Sequence, residues 1–273
     1  MLKARILTAI VMLAVLSLAL GVFSAPAWIG FVALIAALAG WEWGGLAKWS
    51  STPRVAYGAL LGALVALIAA GGGLWAPPEH PAVLLPVLLV SAGFWLTCAF
   101  PWLLRRWPLG QGLPAVLVGA IVVVPTGVAM IYLRHVDVAL LLAAMAVVWI
   151  ADIAAYFSGR AFGRRKLAPA ISPGKSWEGV IGAIVAVELY GLVLSRYAGI
   201  ELSAQTVLLG AVALAVLTAI SVIGDLFESL LKRQAGIKDS SGLLPGHGGI
   251  LDRIDSLTST LPMVACLVLL LAD

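Results

Sequence analysis

The chain has 273 residues, 62% of them hydrophobic and only 11% charged. A soluble domain of ordinary composition is about 25% charged, and 17 Lys and Arg with 13 Asp and Glu cannot coat a water-facing surface of this length. Soluble globular, disordered and disulfide-framework classes are excluded, and the mean hydropathy of +1.09 is that of a polytopic membrane protein.

A bilayer-crossing helix needs about 20 mostly apolar residues. Cutting the sequence at Pro, Gly and charge clusters predicts an all-α chain of nine transmembrane helices: 6–22, 28–46, 55–75, 82–103, 113–133, 138–157, 177–197, 204–223 and 257–271. Lys3 and Arg5 give the first span the look of a signal peptide. Its apolar run is too long for that, and cleavage after Ala25 would put Phe23 where a small residue belongs, so an uncleaved span is expected. Cys98 and Cys266 lie in apolar runs without Cys-x-x-Cys spacing and read as small buried hydrophobes. The last run has 15 residues, too few at about 1.5 Å each for a hydrocarbon core of about 30 Å. A start near Leu251 repairs the length and draws Asp252, Arg253 and Asp255 into the first turns.

Orientation follows from the basic residues. With the N-terminus and even-numbered loops on one side, that side holds 15 Lys and Arg, and only Arg134 and Arg196 lie opposite. The N-terminus is therefore expected to be cytoplasmic and the C-terminus on the far side of the membrane. One span more or fewer would destroy the alternation downstream of it. The net charge of +4 is explained by loops held against anionic lipid, with no need of nucleic acid. Both long loops, 158–176 and 224–256, face the cytoplasm. The chain reads as a single membrane-embedded unit, with helices 1–4 in residues 1–112 and helices 5–9 with both long loops in 113–273.

Ionisable groups inside spans are costly and functional by default. Asp152 falls in the inner half of span six and Asp225 at the inner end of span eight, while Asp252 and Asp255, three apart, share a helix face. Carboxylates from separate backbone elements suit Mg²⁺; salt bridging to Arg253 and nearby lysines accounts for the Asp252–Asp255 pair equally well. Lys232, Arg233, Lys238 and Arg253 surround the turn Gly246-His247-Gly248-Gly249. Glycines there let N–H groups approach an anion, and the helix N-terminus that follows favours phosphate, so the stretch describes a site for a metal-bound polyphosphate. His247 reads as a phosphate donor or turn cap ahead of a general base. In Ser172-Pro-Gly-Lys175-Ser176-Trp-Glu178-Gly179, either serine can cap span seven, and Lys175 offers a second phosphate position. Arg164, Arg165 and Lys166 read as headgroup contacts, and Trp41-Glu42-Trp43 as an interfacial belt rather than a site. Glu188, deep in span seven, receives no role, and His80 and His135 fall in outward turns.

The run Ser229, Lys232-Arg233, Lys238-Asp239, His247-Gly248-Gly249, Asp252-Arg253-Ile254-Asp255 resembles, in full register, the signature of phosphatidate cytidylyltransferases, or CDP-diacylglycerol synthases. Ser172–Gly179, Asp152 and Asp225 also resemble features of that family, whereas the first four spans match it only in length and hydropathy. The resemblance implies an all-helical, usually dimeric membrane enzyme joining CTP and phosphatidate into CDP-diacylglycerol and pyrophosphate, with Mg²⁺ and a second cation such as K⁺. It implies Asp225, Asp252 and Asp255 as metal ligands. Lys175, Lys232, Arg233, Lys238, His247 with Gly248 and Gly249, and Arg253 would hold phosphates together with Ser172 and Ser176, and Asp152 would support the site. Two other readings use the same features: a CTP-dependent lipid-alcohol kinase, and an anion transporter. The gathering of charge at one membrane face, without an internal repeat, speaks against the transporter.

Overall fold

A computed structural model describes residues 2–75 and 81–272. Among the described residues the chain forms nine long helices: α1 Leu2–Val22, α2 Ala25–Leu46, α3 Ser51–Gly71, α4 Leu85–Arg105, α5 Leu113–Val136, α6 Val138–Phe162, α7 Trp177–Tyr197, α8 Ala204–Ala235 and α9 Leu251–Ala272. α4 contains a π-helical turn at Phe94–Cys98. The eight helices from α2 to α9 are long and apolar enough to cross a membrane, and α1 adds the shorter apolar stretch Ile6–Val22. All nine expected spans are helical, and the protein is a multi-pass membrane protein. The segment holding His80 lies outside the described residues.

The helices bordering the two long loops run further than expected at the ends of α8 and α6. α8 runs twelve residues beyond the predicted span end at 223, so residues 224–235 are helix rather than loop. It stops at Gly236, whose φ of +79° is the left-handed conformation that ends a helix at little cost in glycine. α9 begins at Leu251, as the length argument required, so the loop before it is confined to 236–250. Within 158–176, α6 continues to Phe162, and an antiparallel hairpin follows, β1 Lys166–Ala168 with β2 Ser172–Ser176. Hydropathy marks only the lipid-crossing part of a helix, which is why the polar extensions escaped it.

The outer faces show membrane logic. Ile181, Val185, Leu189 and Val193 recur every four residues along α7 and are all more than half exposed, an apolar stripe turned outward to lipid rather than into a core. Cys266 is buried as expected, but Cys98 is exposed: it lies on the outward side of α4's π-turn, where lipid instead of protein covers an apolar side chain. Arg134, one of the two basic residues opposite the cationic face, donates to the Leu20 and Phe23 carbonyls at 3.3 and 2.6 Å and lies over the Trp28 ring. It thereby closes the C-terminal end of α1.

Inside, aromatic and small residues set the helix contacts. Phe94, Trp95 and Trp102 of α4 meet Phe227 of α8 edge-to-face, with centroids 5.5–5.6 Å apart. α8 and α9 approach closely at Gly224, where Ser256 and Ser259 hydroxyls donate to the Ser221 and Ile220 carbonyls. Trp43 Nε1 and Tyr57 Oη reach the Ala115 and Val116 carbonyls of α5 at 2.9 and 2.6 Å. Gly119 makes room for both: a Cβ there would lie 2.5 Å from each polar atom. Gly119→Ala is therefore expected to destabilise the protein by about 1–3 kcal/mol through overpacking. Thermal unfolding in detergent checks this, and an unchanged midpoint would refute the packing account.

Candidate active site

The start of α9 is held by two carboxylates. Asp252, at its first turn, is buried; its Oδ1 accepts from Lys232 Nζ at 2.6 Å, and its Oδ2 accepts from Ser240 N, Ser240 Oγ and Gly249 N, each at 2.8 Å. Lys232 also pairs with Glu228 at 3.3 Å, one turn earlier on α8. The second carboxylate comes from α2. Glu42 is 0% exposed and accepts from Ser241 Oγ at 2.6 Å, Ile250 N at 2.9 Å, Leu251 N at 2.6 Å and Ser240 Oγ at 3.0 Å. A hydroxyl has one proton, so Ser240 links Asp252 and Glu42 by sharing it. Gly248 adopts φ +82°, and a Cβ at Gly249 would strike Ser240 and the Glu42 carboxylate. Glycine is required at the first by conformation and at the second by crowding.

This arrangement revises the sequence reading twice. Of the glycine-rich turn expected to let N–H groups approach an anion, the Gly249 N–H is used by Asp252, and the Ile250 and Leu251 N–H groups at the helix start are used by Glu42. The Trp41-Glu42-Trp43 cluster is not an interfacial belt: Trp43 and Glu42 are buried, and Trp41 packs beneath Arg54, whose guanidinium carbon lies 4.3 Å from the ring centroid.

A cleft of about 390 Å³ opens between α6, the hairpin, the start of α7 and α8. Its polar lining includes Asp152, Arg160, Ser172, Lys175, Ser176 and Asp225, and Ala151, Ala155, Val180 and Val222 form apolar wall. Local structure sets each group. Ser176 caps α7 by accepting from Gly179 N at 3.2 Å, which leaves Ser172 to face the cleft. Glu178 accepts from Arg164 N and Arg165 N at 3.1–3.2 Å, tying the hairpin to α7, and Arg233 Nε reaches the Ile171 carbonyl at 3.4 Å. Lys175 Nζ pairs with Asp225 Oδ2 at 2.5 Å, and Ser229 Oγ donates to Asp225 Oδ1 at 3.2 Å. Arg160 makes only a long contact, 3.4 Å to Tyr156 Oη. Tyr156, Phe157, Phe162 and Trp177 are more than half exposed around this end of α6 and α7, the aromatic belt of a membrane interface.

The structure thus brings Asp152, Ser172, Lys175, Ser176 and Asp225 into one cleft and places Lys232 and Asp252 in the buried network beside it. Asp255 stands between the two, within electrostatic reach of Asp225, Lys232 and Asp152; its Oδ1 accepts from Ser256 N at 2.7 Å. Arg233, Lys238 and Arg253 are exposed. His247 sits half-buried in the turn, donating its own N–H to the Leu244 carbonyl at 2.8 Å, and does not line the cleft. Glu42 and Arg160 are the functional candidates that sequence reasoning passed over. Arg160 carried a signal, a cation one turn from Tyr156 at the end of a span that also holds Asp152.

Among the described residues no three His, Cys, Asp or Glu side chains gather closely enough to hold a metal by themselves. Mg²⁺, however, is usually bound by one or two carboxylates with substrate phosphates and waters. Two carboxylates lining a phosphate-sized cleft, Asp152 and Asp225, fit that mode.

Residues 3–271 match the sequence family described as the cytidylyltransferase family. The chain is 39% identical over 279 residues to a phosphatidate cytidylyltransferase of Pseudomonas aeruginosa, covering 98% of this chain and 97% of that protein. It is 38% identical over 285 residues to one of Haemophilus influenzae, with 96% of each covered. The Brucella suis phosphatidate cytidylyltransferase is 42% identical over 175 residues, 63% of this chain and 62% of that protein. With agreement running almost from end to end, and with relatives covered over nearly their whole length, the chain belongs to the cytidylyltransferase family.

Proposed function

We propose that this protein is a phosphatidate cytidylyltransferase of a bacterial-type inner membrane, converting CTP and phosphatidate to CDP-diacylglycerol and pyrophosphate at a cytoplasmic cleft. The observation that carries this reading is the cleft itself: Arg160, Lys175 and Ser172 face Asp152 and Asp225 beside an aromatic belt. A lipid phosphate entering sideways from the inner leaflet and a nucleotide arriving from the cytoplasm can meet there.

In the reaction a phosphatidate phosphate oxygen attacks the α-phosphorus of CTP. A new P–O–P bond forms, the bond from the α-phosphorus to the bridging oxygen breaks, and pyrophosphate leaves with that electron pair. The nucleophile is already ionised near neutral pH, so no strong general base is needed and His247 has no proton to take. Two polyanions must be brought together, so neutralising charge is the main task. Mg²⁺, when bound, supplies part of it by drawing charge from the phosphate oxygens. Asp225, with Asp152 and Asp255 near it, would hold the ion. Asp252, whose oxygens are all engaged by the chain, acts as a strut for Lys232 rather than as a direct ligand. Lys175 would exchange its Asp225 contact for a phosphate, and Arg160 would hold the lipid phosphate at the cleft mouth. Ser172 and Ser176 complete the cleft floor, and the exposed Arg233, Lys238 and Arg253 add positive potential around it. The resemblance also carries a homodimer and a second cation such as K⁺ into this proposal.

Purified protein in detergent with α-labelled CTP, phosphatidate and Mg²⁺ should yield labelled CDP-diacylglycerol and unlabelled pyrophosphate. Release of CDP with phosphorylation of a lipid alcohol would replace the reading by the kinase. Charge roles separate by salt. Lys166→Ala should lower activity modestly, with the difference masked at high ionic strength, whereas Lys175→Ala should cost far more and persist, because partly buried charges are screened less. Equal, fully masked effects would refute the division.

A further inference from the structure

Helix N-termini attract anions because their first N–H groups lack intrahelical partners and the helix dipole is positive there. In this protein that position at α9 is filled from inside. Glu42 comes from α2, about 200 positions away in sequence, and brings both oxygens to the Ile250 and Leu251 N–H groups and to the Ser240 and Ser241 hydroxyls. Three donors and a share of the Ser240 proton occupy its two oxygens; among the described residues no cation pairs with it, so these hydrogen bonds offset its burial.

The consequence reaches the site. Ser240 and Gly249, locked beside Glu42, are the donors that hold Asp252 Oδ2, and Asp252 Oδ1 in turn holds Lys232. Asp255 follows one turn later on the same helix. The direction and depth of α9's first turn thus set where Lys232 and Asp255 stand relative to Asp225. We infer that Glu42 is a positioning residue for the reaction proposed above: a built-in carboxylate that occupies α9's anion position, excludes substrate phosphate from it, and thereby orients Lys232 and Asp255 toward the cleft. The inference rests on that reaction, and it gives the N-terminal helices a part in it.

A carboxylate that works as an anion can be replaced by one added in solution. Ser241, one of the donors to Glu42, is only half-buried, and Gly242 and Leu243 next to it are exposed. Glu42→Ala is expected to lower kcat by about 10²-fold, the scale of a displaced catalytic group, with the KM for CTP and for phosphatidate changed little. Formate should restore part of kcat and raise the thermal midpoint of Glu42→Ala but not of wild type, whereas chloride at equal ionic strength should do neither. Near-wild-type kcat in Glu42→Ala overturns the inference, and so does a folded, impaired variant that formate neither reactivates nor stabilises. If Glu42→Ala does not fold, Glu42→Gln decides. Its amide has one acceptor oxygen for two N–H groups, so kcat per folded molecule should fall while both KM values hold; wild-type kcat overturns the inference. Wild-type protein is assayed alongside, so absence of its activity would count against the proposed reaction, whereas the variants alone test Glu42.

Discussion

Asp225→Asn is expected to reduce turnover by a factor of at least about 10², the loss of roughly 3 kcal/mol of transition-state stabilisation, while leaving the fold intact. The side chain is 27% exposed and its ion pair with Lys175 lies at the cleft wall, where such pairs contribute little to stability. Asparagine retains an acceptor for Ser229 but removes the negative charge that a Mg²⁺ ligand supplies and that keeps Lys175 oriented between substrates. Raising Mg²⁺ or Mn²⁺ should recover part of the activity, because a weakened site can be refilled by mass action. A well-folded Asp225→Asn protein with near-wild-type turnover would sink the assignment of the cleft as the metal and phosphate site.

Asp252→Asn, inside the run from Ser229 to Asp255, should behave differently. Its carboxylate is buried and saturated by Lys232, Ser240 and Gly249. Neutralising it leaves the Lys232 ammonium with the more distant Glu228 as its carboxylate partner and sets an NH2 group against surrounding donors; breaking a buried pair in this way costs about 3 kcal/mol or more. Activity and thermal stability should therefore fall together, and added Mg²⁺ should restore neither. Unchanged stability with recovery at high Mg²⁺ would make Asp252 a direct ligand and end its role as a strut. The pair of variants thus separates the functions proposed for the two carboxylates.

Much of the architecture was legible without coordinates. Each lipid-crossing helix announces itself within about 20 consecutive residues, because the bilayer imposes a local length and polarity on every span. The alternation of basic residues then ordered the spans, and the run from Ser229 to Asp255 carried the family resemblance in one uninterrupted stretch. Even the start of α9 at Leu251 followed from length alone.

What the sequence could not reveal depends on partners distant along the chain. Glu42 near a helix end reads like any interfacial acid until α2 is packed against the loop that holds Ser240, Ile250 and Leu251. The same packing commits the Gly249, Ile250 and Leu251 N–H groups to carboxylates of the chain itself. Hydrogen bonds, not residue types, distinguish Asp252, engaged by Lys232, Ser240 and Gly249, from Asp225 at the cleft wall. The membrane class, the helical spans and the stock of polar groups follow from local composition and were readable along the chain. Tertiary packing places Asp152 and Asp225 on the cleft and surrounds Glu42 and Asp252 with donors from the chain itself. A buried carboxylate's role is set by the donors that surround it, and here those donors come from other helices and loops.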